Sequence, residues 1–189
     1  MKHGNIIIIS GPSGAGKGTI IQGLVNHKDL NIHLVKSYTT RPKKDRDKLV
    51  NNHIHISKTK FLQNLQTNKF AESNYYNQNY YGTAKKDIEN IINNNLLGLL
   101  EQNLDKALST KKIYKHVYIF FIYSSIETIR LRLIKRGENT PEEISSRLKI
   151  AKNEIAQMHK ADYVLENIQN FPEKTITRIY EIIKNNIAI

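Results

Sequence analysis

With 189 residues the chain is long enough to bury one sizeable core, with room for small subdomains beside it. Hydrophobic residues make up 39% of it and mean hydropathy is −0.51, and no apolar run reaches the ~18 residues of a membrane span, so no membrane role is expected. The lack of cysteine excludes disulfides and thiolate metal sites and fits a reducing cytoplasm, while a net charge of +12 asks for an anionic partner.

The first strand begins within about five residues of the N-terminus, which leaves no room for a leader peptide. Ile6-Ile7-Ile8-Ile9-Ser10 reads as that strand, and Gly11-Pro12-Ser13-Gly14-Ala15-Gly16-Lys17-Gly18-Thr19 follows it. Strand, glycine-rich turn and helix in this order are the mechanical parts of a phosphate cradle. Glycines let backbone N–H groups come close to anionic oxygens, and the helix aims its positive end at the same point. Lys17 then reaches the terminal phosphates of a nucleoside triphosphate. The spacing Gly11-x4-Gly16-Lys17 in this context is a specific signal. Gly18 stands where a magnesium-binding hydroxyl is common, and Thr19 comes one place later. Magnesium is therefore expected to be held mainly by phosphates and water, with Thr19 a candidate ligand. The cations are scattered, without a basic–aromatic ladder, so a positive cleft for nucleotides explains the charge and nucleic acid is not expected.

The first helix is predicted over Lys17–Asn26 and a second strand over Ile32–Lys36. Tyr38–Asn52 is polar and basic, His53-Ile54-His55-Ile56 alternates like a strand, and Lys58–Gln66 has helical spacing. Thr83–Ile92 reads as a helix, Leu96–Leu100 and Val117–Ile122 as buried strands. Ser124-x-x-Glu127 and Thr140-Pro141-Glu142-Glu143 read as capping boxes that open two helices. In the second of these helices Ile144, Leu148, Ala151, Ile155 and Met158 follow core spacing. Tyr163–Leu165 is a short strand, and Phe171–Asn185 an amphipathic helix. Strands alternating with helices predict an α/β fold with a parallel sheet covered on both faces. His3, His27, His33, His116 and His159 form no metal-ligand spacing.

The chain resembles the guanylate kinase family through its phosphate loop and three further elements. Ser37-Tyr38-Thr39-Thr40-Arg41 is similar to the family's Ser-x-Thr-Thr-Arg. Glu72 followed by Asn79-Tyr80-Tyr81-Gly82-Thr83 is similar to its Glu and Asn-Tyr-Tyr-Gly-Ser/Thr. Arg132-Leu133-Ile134-Lys135-Arg136-Gly137 and Ser146-Arg147-Leu148 continue the likeness, which runs to about Asn167. The resemblance implies one domain over residues 1–189 in three parts: a core (about 1–36, 91–128 and 155–189), a GMP-binding lobe (about 37–90) and a helical lid (about 129–154). It implies magnesium-dependent phosphoryl transfer from ATP to GMP in the cytoplasm, by a monomer or homodimer with nucleotides as its partners.

An acceptor phosphate that is already ionised needs no strong base, so catalysis must come from positioning two anions and neutralising their charge. Lys17 and the loop amides of Gly11 to Thr19 would hold the donor. Arg41 suits a bidentate grip on the acceptor phosphate. Guanine presents N1–H and N2–H₂ on one edge, which a carboxylate can accept, and Glu72 is the candidate. The resemblance adds Tyr81 on the acceptor phosphate, Ser37 and Thr83 on the base, and Asn167 near adenine. Arg132 and Arg136, four apart on one helix face, and Arg147 beyond the turn are candidates to close over the phosphates.

Several positions depart from the family pattern. Lys44 stands where a second arginine is usual, Asp47 for a glutamate and His53 for a tyrosine on the acceptor phosphate. Glu101 and Asn103 stand for the two acids of Asp-x-Asp, the first near magnesium and the second on guanine. A raised KM for GMP is expected from these changes. Two other readings stay open: a kinase for another nucleoside monophosphate or a sugar phosphate, and a binding module without catalysis.

Overall fold

The structure, a computed structural model, describes residues 4–43, 52–76 and 78–187. Four consecutive isoleucines set its architecture. In β1 (Asn5–Ser10) successive side chains point to opposite faces. Ile7 and Ile9 enter one core with Ile20, Leu24 and Ile179, whereas Ile6 and Ile8 enter another with Ile88, Leu104 and Ala107. A strand buried on both faces needs helices on both sides, which is the habitat of a parallel sheet. β1 pairs in parallel with β7 (Leu97–Glu101) and β8 (Val117–Tyr123), and β2 (Ile32–Leu34) and β9 (Tyr163–Glu166) form the edges, in the order β2-β7-β1-β8-β9. The fold is thus α/β with a parallel sheet flanked by helices, as the alternation of elements predicts.

A second, mixed sheet is built from β3 (Ser37–Thr39), β4 (His53–His55), β5 (Phe70–Tyr76) and β6 (Asn79–Ala84), in the order β4-β3-β6-β5. Its core is aromatic. Phe61, on α2 (Lys58–Gln66), stacks on Phe70 at 4.6 Å and on Tyr80 at 5.4 Å. A register shift between Phe70 and Glu72 re-aims the carboxylate-bearing residue within β5.

Helix α1 (Lys17–Asn26) follows the phosphate loop. Thr83 and Ala84 complete β6, so α3 spans Lys85–Asn93 and does not begin at Thr83 as expected. Helix α4 (Leu104–Ile113) has no counterpart in the sequence reading. Nor does the capping box at Ser124 form. Ser124 Oγ donates to the Asn167 carbonyl at 2.6 Å, and Ser125 caps α5 (Ile126–Arg136) by accepting from Thr128 N–H. The box at Thr140 does form, opening α6 (Pro141–Ala156) with both reciprocal bonds. Ile129 and Leu133 of α5 and Ala151 of α6 make a small core of their own, against which Ile144, Leu148 and Ile155 pack. Helix α7 (Pro172–Ile182) ends the chain and loosens into a π turn at Ile183–Ile187. No helix among the described residues is long and apolar enough to cross a membrane.

Candidate active site

The carboxyl end of β1 delivers the chain into the turn that opens α1. Gly11 has φ +128, and a Cβ there would lie 1.9 Å from the Ile122 carbonyl oxygen. Gly16 has φ +93 and caps α1 without a side-chain acceptor, and the helix's first turn carries no acid. The first N–H groups of α1 therefore face an anion's position with no internal competitor. Lys17 folds back over this loop, donating to the Gly11 carbonyl at 2.7 Å and the Pro12 carbonyl at 3.1 Å. Its Nζ is also 3.5 Å from Glu101 Oε1, and Asn52 Nδ2 donates to Glu101 Oε2 at 2.6 Å.

The loop has a rigid backing. Arg132 Nη1 donates to the carbonyls of Gly14 (3.3 Å) and Ala15 (3.0 Å) and to Ser124 Oγ (3.0 Å), while Nη2 reaches the Asn167 carbonyl (3.3 Å). Arg132 thus braces the loop's carbonyl side. It does not stand beside Arg136 over the cleft, as their spacing suggested. Asn167 is 2% exposed and donates from Nδ2 to the Ala15 carbonyl at 2.7 Å. Its side chain packs against the phosphate loop because Gly16 leaves room for it there: a Cβ on Gly16 would fall 2.2 Å from Asn167 Nδ2. Arg147, from α6, donates to Ser13 Oγ at 3.1 Å and so already touches the loop from the other side.

One cleft of about 650 Å³ joins this loop to the mixed sheet. Gly11, Ser13, Gly14, Gly16, Lys17, Gly18 and Thr19 line one end, and Ser37, Arg41, His53 and Tyr81 the other. Arg136, Arg147, Glu101 and Asn103 also line it. Arg41 is held by its own turn: its N–H donates to Thr39 Oγ1 at 3.1 Å, and its carbonyl meets His55 Nδ1 at 2.8 Å. His53 packs edge-on to Tyr81, with ring centroids 6.1 Å apart. Lys44 and Asp47 lie outside the described residues.

Behind the cleft wall the Glu72 side chain is 6% exposed. Its Oε1 accepts from Gln102 Nε2 at 2.9 Å and is 3.0 Å from Lys106 Nζ. Its Oε2 is buried without a partner among the described residues. Thr83 is fully buried, and Gln102 Nε2 contacts its hydroxyl at 3.4 Å, so Thr83 is covered and does not open onto the cleft as expected. Asn103 reaches the cleft, yet its Oδ1 is committed to capping α4 by accepting from Lys106 N–H at 3.1 Å.

Sequence reasoning missed Asn52, Gln102, Lys106 and Glu154, all of which line the cleft. Burial pushes the Lys106 ammonium down, to about 7, while the carboxylate beside it favours the charged form. Burial raises the Glu154 carboxyl, against the pull of Lys17, and its Oε2 is buried with no partner among the described residues. The signal that could have revealed Lys106 is Asn103 read as an N-cap. It opens a helix whose buried side holds Leu104, Ala107 and Thr110 together with the lysine. No group of three or more His, Asp or Glu that could cage a metal exists among the described residues.

The family model for guanylate kinase matches residues 3–186. A guanylate kinase of Mycoplasma mobile is 33% identical over 194 aligned residues, covering 99% of this chain and 96% of its own. One from Clostridium perfringens is 39% identical, covering 87% of this chain and 76% of its own. The crystal structure of guanylate kinase from Anaplasma phagocytophilum superposes with a TM-score of 0.78 at 26% identity, covering 97% of this chain and 86% of that one. With a phosphate loop and Arg41 beside the mixed sheet lining one cleft, and likeness along nearly the whole length, the chain belongs to the guanylate kinase family.

Proposed function

We propose that the protein is an ATP:GMP phosphotransferase, yielding ADP and GDP. A single observation carries this: the phosphate loop and Arg41 both line one cleft, so two anionic nucleotides can be brought phosphate to phosphate. Phosphoryl transfer between them needs alignment and charge neutralisation more than proton chemistry. The loop amides and Lys17 bind the donor's β- and γ-phosphates. Among the described residues Lys17 leaves two carbonyl oxygens and one acid, so an incoming triphosphate offers it a stronger, charge-assisted bond. Arg41 and Tyr81 hold the acceptor phosphate, with His53 as a further donor and Lys44 as a further cation. Ser37, at 3% exposure on the cleft wall, and Glu72 hold the base. Arg136 and Arg147 screen the transferring group, and Arg132 and Asn167 fix the loop that cradles it.

Magnesium would supply Lewis-acid neutralisation of the phosphates. Glu101, beside Lys17 at the mouth of the loop, is the carboxylate suited to hold it through water, and Thr19 the nearest loop hydroxyl in sequence. The division of labour is then a parallel-sheet core for the donor, a lobe over about 37–90 for the acceptor and a helical lid over about 129–154.

The test is a coupled assay with ATP and magnesium, offering GMP, AMP, CMP and UMP separately and following ADP. GMP should be strongly preferred. Preference for another monophosphate would move the assignment to a different acceptor, and no turnover with any would leave a binding module.

A further inference from the structure

Lys106 lines this cleft, and the phosphate chemistry does not use it. It sits in the first turn of α4 with its side chain 5% exposed, it lines the cleft, and its Nζ is 3.0 Å from Glu72 Oε1. Gln102 Nε2 donates to the same oxygen at 2.9 Å and is itself fixed from behind, its Oε1 accepting from Thr110 at 3.1 Å. One oxygen of Glu72 is thus engaged twice, while the other, Oε2, is buried and without a partner among the described residues. A buried carboxylate oxygen left unpaired is costly and calls for a donor. The pair therefore offers a ligand a cationic N–H donor beside an empty anionic acceptor.

That order, donor then acceptor, is complementary to one edge of a 6-oxopurine. The ring's O6 accepts, and its N1–H donates next to it. An adenine reverses both: its 6-amino group donates and its N1 accepts. We propose that Lys106 is a specificity-determining residue that donates to the purine O6 while Glu72 Oε2 accepts from N1–H. This rests on the proposed function, which puts the purine at the Glu72 end of the cleft. The third position of the edge, the 2-amino group, is weakly read. Asn103 carries no charge, and its Oδ1 already serves the α4 cap. The protein therefore recognises the 6-oxo, N1–H pair first and the 2-amino group second.

The test compares equilibrium dissociation constants for three nucleotides on the intact chain, by calorimetry. GMP carries all three groups. IMP keeps O6 and N1–H without the 2-amino group. 2-Aminopurine ribonucleoside monophosphate keeps the 2-amino group but lacks O6 and N1–H. Lys106→Met should weaken GMP and IMP alike, by roughly 10- to 100-fold, and leave the 2-aminopurine nucleotide within about twofold. Because the comparison is made within one sample, a fraction of misfolded protein cancels from it. Should the Met variant fail to fold, Lys106→Gln keeps a neutral N–H and should show the same pattern at smaller size. An equal loss for all three nucleotides would make Lys106 a structural residue and overturn the inference. So would unchanged GMP binding, or a loss confined to GMP. Failure of the proposed function reads differently, as absent phosphoryl transfer to GMP by the unaltered protein.

Discussion

The two ends of the cleft are made of different material. The proposed donor end is backbone: loop amides, glycines with positive φ and the start of α1, with Lys17 the main side chain among them. The proposed acceptor end is side chains drawn from separate segments: Ser37 and Arg41 near β3, Tyr81 on β6, and Asn103 and Lys106 at the start of α4, with Glu72 of β5 behind them. A backbone cradle is written in a few consecutive letters and has little freedom to vary. A side-chain pocket can exchange members one at a time, and among the cleft-lining residues His53, Glu101 and Asn103 are the ones the sequence pattern marks as departures. The donor end therefore tells what kind of chemistry the protein performs, and the acceptor end tells on which molecule.

Substitutions can break or sharpen this contrast. The largest effect is expected from Lys17→Ala, which removes the charge on the donor phosphates. Steady-state assays should show kcat down by about 10³-fold or more, with GMP binding little changed. Retention of more than a tenth of the rate would mean the amides alone suffice. Gly16→Ala comes next, because φ +93 and the 2.2 Å approach of Asn167 both oppose a Cβ. A stability loss of roughly 1–3 kcal/mol in denaturant unfolding is expected, with loss of ATP binding. Asn103→Asp probes the acceptor end. Either residue caps a helix, so stability should hold, while the restored charge should lower KM for GMP by about three- to tenfold and leave IMP unchanged.

The smallest effect belongs to Glu154→Gln. Burial holds the Glu154 carboxyl above its ordinary range, so the folded state retains its proton to higher pH than the unfolded chain does. The charged form is penalised as pH rises through the folded value, and stability falls in that window. The Gln variant should thus melt slightly higher than the parent near pH 7.5, with the gain vanishing as pH drops toward 4.5. A gain that persists below that pH would trace to packing instead.

The same contrast explains what could be read from the chain. The helices over Lys17–Asn26 and Lys58–Gln66 have the expected bounds: the first follows directly on the glycine turn, and the second joins helical spacing to a Ser57 cap. β5 and β6 escaped notice because their residues are polar and aromatic on both faces, with no clean alternation. α4 escaped because a buried lysine interrupts its apolar side. The Ser124 box failed by one residue: two adjacent serines compete, and the Asn167 carbonyl claims the first. Thr83 was expected at the base because the family resemblance implies it, yet the residue is fully buried and its hydroxyl meets the Gln102 side chain. Local patterns carry local structure, and only the fold shows who stands between a residue and its ligand.

Arg132 gives the molecule a rivet. Its guanidinium fastens three separate stretches of chain, the phosphate loop, Ser124 after β8 and Asn167 after β9, through four hydrogen bonds. Truncating it would strand several inward-facing oxygens at once, and the cradle would lose its shape before any phosphate arrived. An inactive Arg132→Ala enzyme would consequently look like a lost catalytic charge while being a warped mould.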